Sequence, residues 1–260
     1  MNIRNHCIEI QSSLGEINDI AQALVHSIIY FRTHGKFNYK HEGSYSIGTL
    51  GFEKAFCDHI NFSYVRCSSL TLTNRINNKI QEFVDKFNEF THSGTLSLEF
   101  YTKRPNRWPF NDTKIIWELW TIKIIVASTS SAATNLIQQP SSNNEHFCNT
   151  NYGQRYSESA LKLEDNLSQK LLDIIKIVNS DKCSLPQMPT QPNLDTVFDT
   201  SFTDLQPYLY NLSYKISETA PGSHSVIGGA MSKHGGDGGT VTGTQAQSSI
   251  KKFLLGTLEL

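Results

Sequence analysis

Long apolar runs are missing from this 260-residue chain. No stretch approaches the ~20 residues that a membrane-spanning helix needs. Residues Met1 to Ile10 carry Arg4, His6 and Glu9 where a signal peptide would hold apolar side chains. The chain is therefore read as soluble and intracellular. An excess of charge of one sign is missing too: 23 Lys and Arg stand against 24 Asp and Glu, a formal net charge of -1. That balance excludes a dedicated nucleic-acid binder, whose affinity rests on clustered cations that release counterions from phosphates. Paired cysteines are absent as well. Five cysteines, Cys7, Cys57, Cys67, Cys148 and Cys183, are an odd number with no C-x-x-C spacing, so neither a disulfide framework nor a zinc module is indicated. There is no internal repeat.

Two segments stand out by composition. From Ala127 to Ala160, 18 of 34 residues are Ser, Thr, Asn or Gln, too few apolar groups to offset the entropy of ordering the backbone. From Thr219 to Ser249, 8 of 31 residues are Gly and only Lys233 and Asp237 are charged, the composition of a flexible linker. The expected organisation is one domain over 1–260, with a disordered insertion at 127–160, a linker at 219–249 and a short amphipathic helix at 250–260. That last helix carries Ile250, Phe253, Leu254 and Leu258 at helical spacing. So short a helix is marginal alone and needs a surface to dock on.

Between these segments the hydrophobic period alternates between helix and strand. Ile17, Ile20, Ala21, Leu24, Ile28 and Phe31 predict a helix opened by the capping box of Ser13 and Glu16 and closed by Gly35. Phe37 and Tyr39 face Tyr45 and Ile47 across a tight turn, which predicts a hairpin, and Ile60, Phe62 and Tyr64 alternate as a further strand. Leu72, Ile76, Ile80, Phe83, Val84 and Phe87 line a second helix. Leu96, Leu98 and Phe100, then Ile115 to Val126, make two long strands joined by the loop from Arg104 to Thr113, with Trp117 and Trp120 on opposite faces of the second. Leu163, Leu167, Leu171, Ile174, Ile175 and Val178 mark a third helix over 161–178, richer in Leu and Ile than one buried stripe requires. Tyr208, Tyr210, Leu212, Tyr214 and Ile216 alternate in a last strand. The expected class is α+β.

Catalytic chemistry does not surface in this pattern. Gly235-Gly236-Asp237-Gly238-Gly239 follows no strand, opens no helix and has no Lys-Ser/Thr ending, so it reads as linker and not as a phosphate cradle. Cys57-Asp58-His59 has ligand-type side chains at the wrong spacing, because adjacent strand positions point to opposite faces. Four Asn-x-Ser/Thr triplets, at Asn61, Asn111, Asn166 and Asn211, carry no meaning without secretion.

The loop Lys103-Arg104-Pro105-Asn106-Arg107-Trp108-Pro109-Phe110 is different. Pro105 and Pro109 cannot donate to a ladder and stiffen their neighbours, so Trp108 and Phe110 are expected on a rigid turn outside the flanking strands. The pattern alone leaves two readings open. The rings fold back as a lid on the sheet edge, or they form an exposed aromatic anchor for a protein or membrane surface.

Three blocks carry a resemblance: Gly35-Lys36-Phe37-Asn38-Tyr39 through Tyr45-Ser46-Ile47-Gly48-Thr49; Leu96-Ser97-Leu98-Glu99-Phe100-Tyr101 with Arg107-Trp108-Pro109-Phe110; and Pro189-Thr190-Gln191 through Val197-Phe198-Asp199-Thr200 to Gln206-Pro207-Tyr208-Leu209-Tyr210. With Tyr64-Val65-Arg66 they resemble the autophagy-related protein 101 family, HORMA-domain subunits of the autophagy-initiation kinase complex. The resemblance implies a HORMA fold, three helices on one side of a mostly antiparallel sheet, and no catalysis, cofactor or metal. It implies pairing with the HORMA domain of autophagy-related protein 13, which the family stabilises, and a link between the initiating kinase, its scaffold and downstream factors at the phagophore assembly site. The family's tryptophan-phenylalanine finger falls on Trp108, Pro109 and Phe110 and selects the exposed anchor as the partner-binding site. A peripheral membrane protein is the competing reading, in which Lys103, Arg104 and Arg107 meet anionic lipid while the two rings enter the interface.

Overall fold

The computed structural model describes residues 3–41, 44–107, 110–127, 150–180 and 185–218, with backbone alone for 150–157 and 159. The expected linker at 219–249 and terminal helix at 250–260 lie outside the described residues, as do positions 128–149 of the expected insertion.

The chain is α+β. Its central sheet has the order β1-β8-β7-β10, built from β1 (Arg4–Ser12), β7 (Thr91–Arg104), β8 (Thr113–Val126) and β10 (Tyr210–Glu218). The β7–β8 and β7–β10 pairs are antiparallel and the β1–β8 pair is parallel, so the first strand is laid on the edge of a sheet whose other members come much later in the chain. Smaller ladders pair β2 (Thr33–Gly35) with β9 (Leu205–Pro207), β3 (Phe37–His41) with β4 (Ser44–Ile47), and β5 (Phe52–Phe56) with β6 (Ser63–Cys67).

Three helices accompany the sheet: α1 (Ile17–Tyr30), α2 (Leu70–Val84) and α3 (Thr150–Val178). The packing places α2 against β10, α3 against β1, and α1 between the two helices with β6 beside it. This central place explains the composition of α1. Ile17, Ile20, Leu24, Val25, Ile28 and Ile29 are all buried, and so are Asp19, His26 and Ser27, so the helix is covered on nearly every side. By contrast α2 buries a single stripe, Leu72, Thr73, Ile76, Ile80 and Phe83. At the entrance to α1 the Glu16 carboxylate accepts the Ser13 backbone N–H at 2.8 Å, the expected capping contact, around a 3-10 turn at Leu14–Glu16.

Several boundaries differ from the sequence expectation for identifiable reasons. The first helix ends at Tyr30 and not at Gly35, because Thr33–Gly35 leave it to pair with Pro207–Leu205. Gly35 serves a second close approach, to the chain after β4: a Cβ there would run into the backbone carbonyl of Gly48. Strand β6 starts at Ser63, since Ile60 and Phe62 belong to the turn, and its partner β5 is not foreseen at all. The third helix begins at Thr150, so residues 150–160 of the expected insertion are helical backbone. Glu158 bridges Lys162 at 2.7 Å there, an acidic residue one turn before a basic one, which supports a helix without burying anything.

Strand alternation puts Trp117 and Trp120 on opposite faces of β8 and favours packing over recognition for both. Both are buried. The β7–β8 register steps from Phe100↔Glu118 to Tyr101↔Ile116, leaving Trp117 as the extra residue of a bulge. The bulge turns the Trp117 indole inward against Phe100 and Tyr208, while Trp120 packs on the His6 ring.

Candidate functional site

The long β7–β8 pair projects the singled-out loop. Paired backbone continues to Arg104↔Thr113, so only the eight intervening residues form the tip. Its base is fastened by Asn106, whose side-chain amide donates to the Asn111 carbonyl and to Thr113 Oγ1 at 2.9 Å. Within this frame the Phe110 N–H donates to the Arg107 carbonyl at 3.1 Å. Phe110 itself is 73% exposed. Trp108 and Pro109 lie outside the described residues, so of the three expected anchor residues the structure places Phe110 alone. Arg104 and Arg107 are exposed beside it and Lys103 is half-buried. Sequence reading missed the role of Asn106, although an Asn next to Pro105 in a tight loop is the residue type that ties backbone to side chain.

A second surface lies on α3. Leu163, Leu167 and Ile174 are buried against the domain, while Leu161, Leu172 and Ile175 are exposed. Residues 161, 172 and 175 fall within a narrow arc at 100° per residue, and the buried trio lies on the opposite side. The excess of Leu and Ile read from the sequence thus includes an outward row of Leu161, Leu172 and Ile175, interrupted by Ser168 and the exposed Asp165.

The interior holds polar groups with structural assignments. Glu118 and Arg32 form a buried pair, joined at 2.7 and 2.8 Å. His26 Nε2 lies 2.8 Å from Asn77 Oδ1, linking α1 to α2, and burial drives its pKa down to about 4 despite that bond. Cys57 and Cys67 are pushed up to about 12 and about 11, chiefly by burial, so both stay thiols and neither is an activated nucleophile. The Cys57-Asp58-His59 triplet sits at the β5–β6 turn, where the His59 N–H donates to the buried Asp19 carboxylate at 2.6 Å. That is a connection from the turn to α1. A cavity of about 490 Å³ between β1 and the end of α3 is lined by Arg4, Asn5, His6, Lys176, Ile177 and Ser180, but the Ser180 hydroxyl is committed to the Ile177 carbonyl. Among the described residues no cluster of His, Cys, Asp and Glu is placed to hold a metal, and no helix is long and apolar enough to cross a membrane. The arrangement presents the exposed Phe110 ring on the β7–β8 loop and the exposed Leu161, Leu172 and Ile175 on α3.

Residues 9–192 match the family model described as autophagy-related protein 101. Among curated proteins the chain is similar to autophagy-related protein 101 of Xenopus tropicalis, 38% identical over 221 residues that span 84% of this chain and 91% of that protein. It is similar to the Homo sapiens protein of the same name, 36% identical over 220 residues with the same coverage, and to that of Arabidopsis thaliana, 25% identical over 188 residues, 68% of this chain and 77% of that protein. None of these names denotes a catalytic activity. With a family match across most of its length and relatives 36–38% identical over 84% of it, the chain belongs to the autophagy-related protein 101 family and so has an autophagy-related role.

Proposed function

We propose that the protein is a non-catalytic adaptor of the autophagy-initiation kinase complex, with a HORMA fold. It works in the cytoplasm at the phagophore assembly site. It pairs with the HORMA domain of autophagy-related protein 13, stabilises it, and recruits downstream autophagy factors through Trp108 and Phe110. Support for the fold comes from the element order, three helices accompanying a mostly antiparallel sheet. Support for pairing comes from the outward stripe of Leu161, Leu172 and Ile175, since an apolar helix face in water favours a partner.

The observation that carries recruitment is Phe110, held in water at the end of a fastened loop. Exposing a large apolar ring forgoes ~1.5 to 3 kcal/mol of burial, which a chain of marginal stability does not give up for folding alone. The double substitution Trp108→Ala, Phe110→Ala is the test. The expected result is an unchanged melting temperature and intact co-elution with autophagy-related protein 13, with recruitment lost in cells. A large fall in melting temperature would reassign both rings to packing. The membrane reading draws on Arg104 and Arg107 beside Phe110. It predicts salt-sensitive binding of the chain alone to anionic liposomes, and the adaptor reading predicts none.

A further inference from the structure

Strand β5 is the outermost piece of the small β5–β6 ladder. It pairs with β6, and its one ring contact with another helix or strand among the described residues is Phe52 edge-on to Tyr30 of α1 at 6.3 Å, whereas β6 lies on α1. Its far edge is a row of backbone donors and acceptors without a neighbouring strand. Such an edge templates further pairing unless charge, proline or a bulge blunts it; β5 has neither proline nor register shift, and its charges are Glu53, paired with Arg66, and Lys54, which selects against a cationic neighbour and for an acidic one. Its side chains are unusual for an edge. Phe52 and Phe56 are 65% and 71% exposed, Val65 opposite Lys54 is exposed too, and of the five residues only Ala55 is buried.

The outward face of β5 therefore reads apolar, cationic, apolar: Phe52, Lys54, Phe56, with a period of two. Lys54 Nζ lies 4.8 Å from the centre of the Phe56 ring, and no acidic side chain pairs with it among the described residues. The neighbouring Glu53 and Arg66 neutralise each other at 2.7 Å and leave Lys54 as the unmatched charge.

From these observations we infer that the free edge of β5 receives an extended segment of another protein, added as a strand, whose outward face alternates apolar, acidic, apolar. Strand addition draws affinity from main-chain hydrogen bonds and specificity from alternate side chains. A strand laid beside β5 sets its own alternate residues directly against Phe52, Lys54 and Phe56, where an opposite charge stabilises and a like charge destabilises the pair. The pattern also disfavours a second copy of this chain, because antiparallel pairing of two β5 edges centred on Lys54 brings the two ammonium groups together. This surface is separate from the β7–β8 loop and from the α3 stripe, so its test does not depend on either.

The probe is a pair of capped synthetic heptapeptides, T-V-T-E-T-V-T and T-V-T-K-T-V-T, whose symmetric pattern fits either strand direction. Each is titrated to millimolar concentration into the full-length protein while backbone amide resonances of Phe52 to Phe56 are followed by NMR. The expected result is that the glutamate peptide shifts these resonances and binds at least about tenfold more tightly than the lysine peptide, an ordinary size for one charge reversal at a paired position. Lys54→Glu should reverse the preference. N-methylating alternate peptide nitrogens should abolish binding for one of the two alternating sets, because only one set faces the β5 edge. No shift at Phe52 to Phe56, equal affinity for both peptides, or tolerance of both methylation sets would overturn strand addition. So would self-association in the absence of peptide that Lys54→Glu changes, or binding of the same residues to anionic vesicles in place of the peptide.

Discussion

Arg32 grips Glu118 in a two-point fork, Nε to Oε2 at 2.7 Å and Nη2 to Oε1 at 2.8 Å, with both side chains buried. The pair joins the end of α1 to the core face of β8, and the Trp117 ring lies 6.0 Å from the guanidinium. Removing one partner strands the other charge in a medium that cannot solvate it. Glu118→Gln is expected to cost about 3 to 5 kcal/mol. At roughly 2 to 4 °C per kcal/mol for a domain of this size, thermal denaturation should show a fall of about 6 to 20 °C. The double substitution Arg32→Met, Glu118→Leu removes both charges and should recover much of the loss. A Glu118→Gln protein that melts with the wild type would show that the pair contributes nothing.

Acid should loosen the contact between α1 and α2. Burial lowers the pKa of His26 from 6.5 to about 4, so the native state holds this ring neutral over a range in which the unfolded chain protonates it. The unfolded state then binds more protons, and stability falls as pH drops from about 6.5 towards 4, then levels off. His6 and His34 are lowered in the same direction, again mainly by burial. The His26 contribution is on the order of 3 kcal/mol. His26→Gln keeps a donor for Asn77 and cannot titrate in this range. Chemical denaturation at a series of pH values should therefore give a flatter profile for the variant, and parallel profiles would contradict the assignment.

Gly35 and Gly94 should both resist replacement by alanine, but to different degrees. At Gly94 the added methyl meets ring atoms of Phe87 at 2.5 Å and of Phe83 at 2.6 Å, side chains that can shift at an overpacking cost of about 1 to 3 kcal/mol. At Gly35 it meets the backbone of Gly48, which is held by its own N–H to the Lys36 carbonyl at 2.8 Å. Gly35→Ala is therefore expected to lower the denaturation midpoint more than Gly94→Ala, and the opposite order would mean that the β2–β3 corner yields easily.

The α3 stripe separates folding from pairing. Leu172→Asp with Ile175→Asp changes exposed positions, so stability should stay within roughly 0.5 kcal/mol per site. Co-elution with autophagy-related protein 13 in gel filtration is expected to disappear. Retained co-elution at micromolar concentration would move the pairing surface elsewhere.

The helices were legible because each repeats apolar residues on a period that only a helix uses, as Leu72, Ile76, Ile80 and Phe83 do. The β3–β4 hairpin was legible for the same reason, its Phe37↔Ile47 and Tyr39↔Tyr45 pairs being those that the alternation proposes. Strand β5 was not, since Phe52-Glu53-Lys54-Ala55-Phe56 buries only its alanine and so lacks the half-buried alternation that marks a strand. The β2–β9 ladder depends on residues far apart in sequence, and three residues carry no period. Around the site, the aromatic loop was visible in its composition. The fork between Arg32 and Glu118 was not, because 86 residues separate them and its local trace is only an acidic residue between two tryptophans in an apolar strand.

The parallel pairing of β1 with β8 has a consequence for how the chain is born. Glu9 and Lys123, bridged across those two strands at 3.0 Å, are 114 residues apart. At a synthesis rate of roughly 5 to 20 residues per second, β1 leaves the ribosome about 6 to 23 seconds before the strand that receives it. For that interval Ile8 and Ile10 have no sheet to lie on, and β1 waits for the strand that seats it.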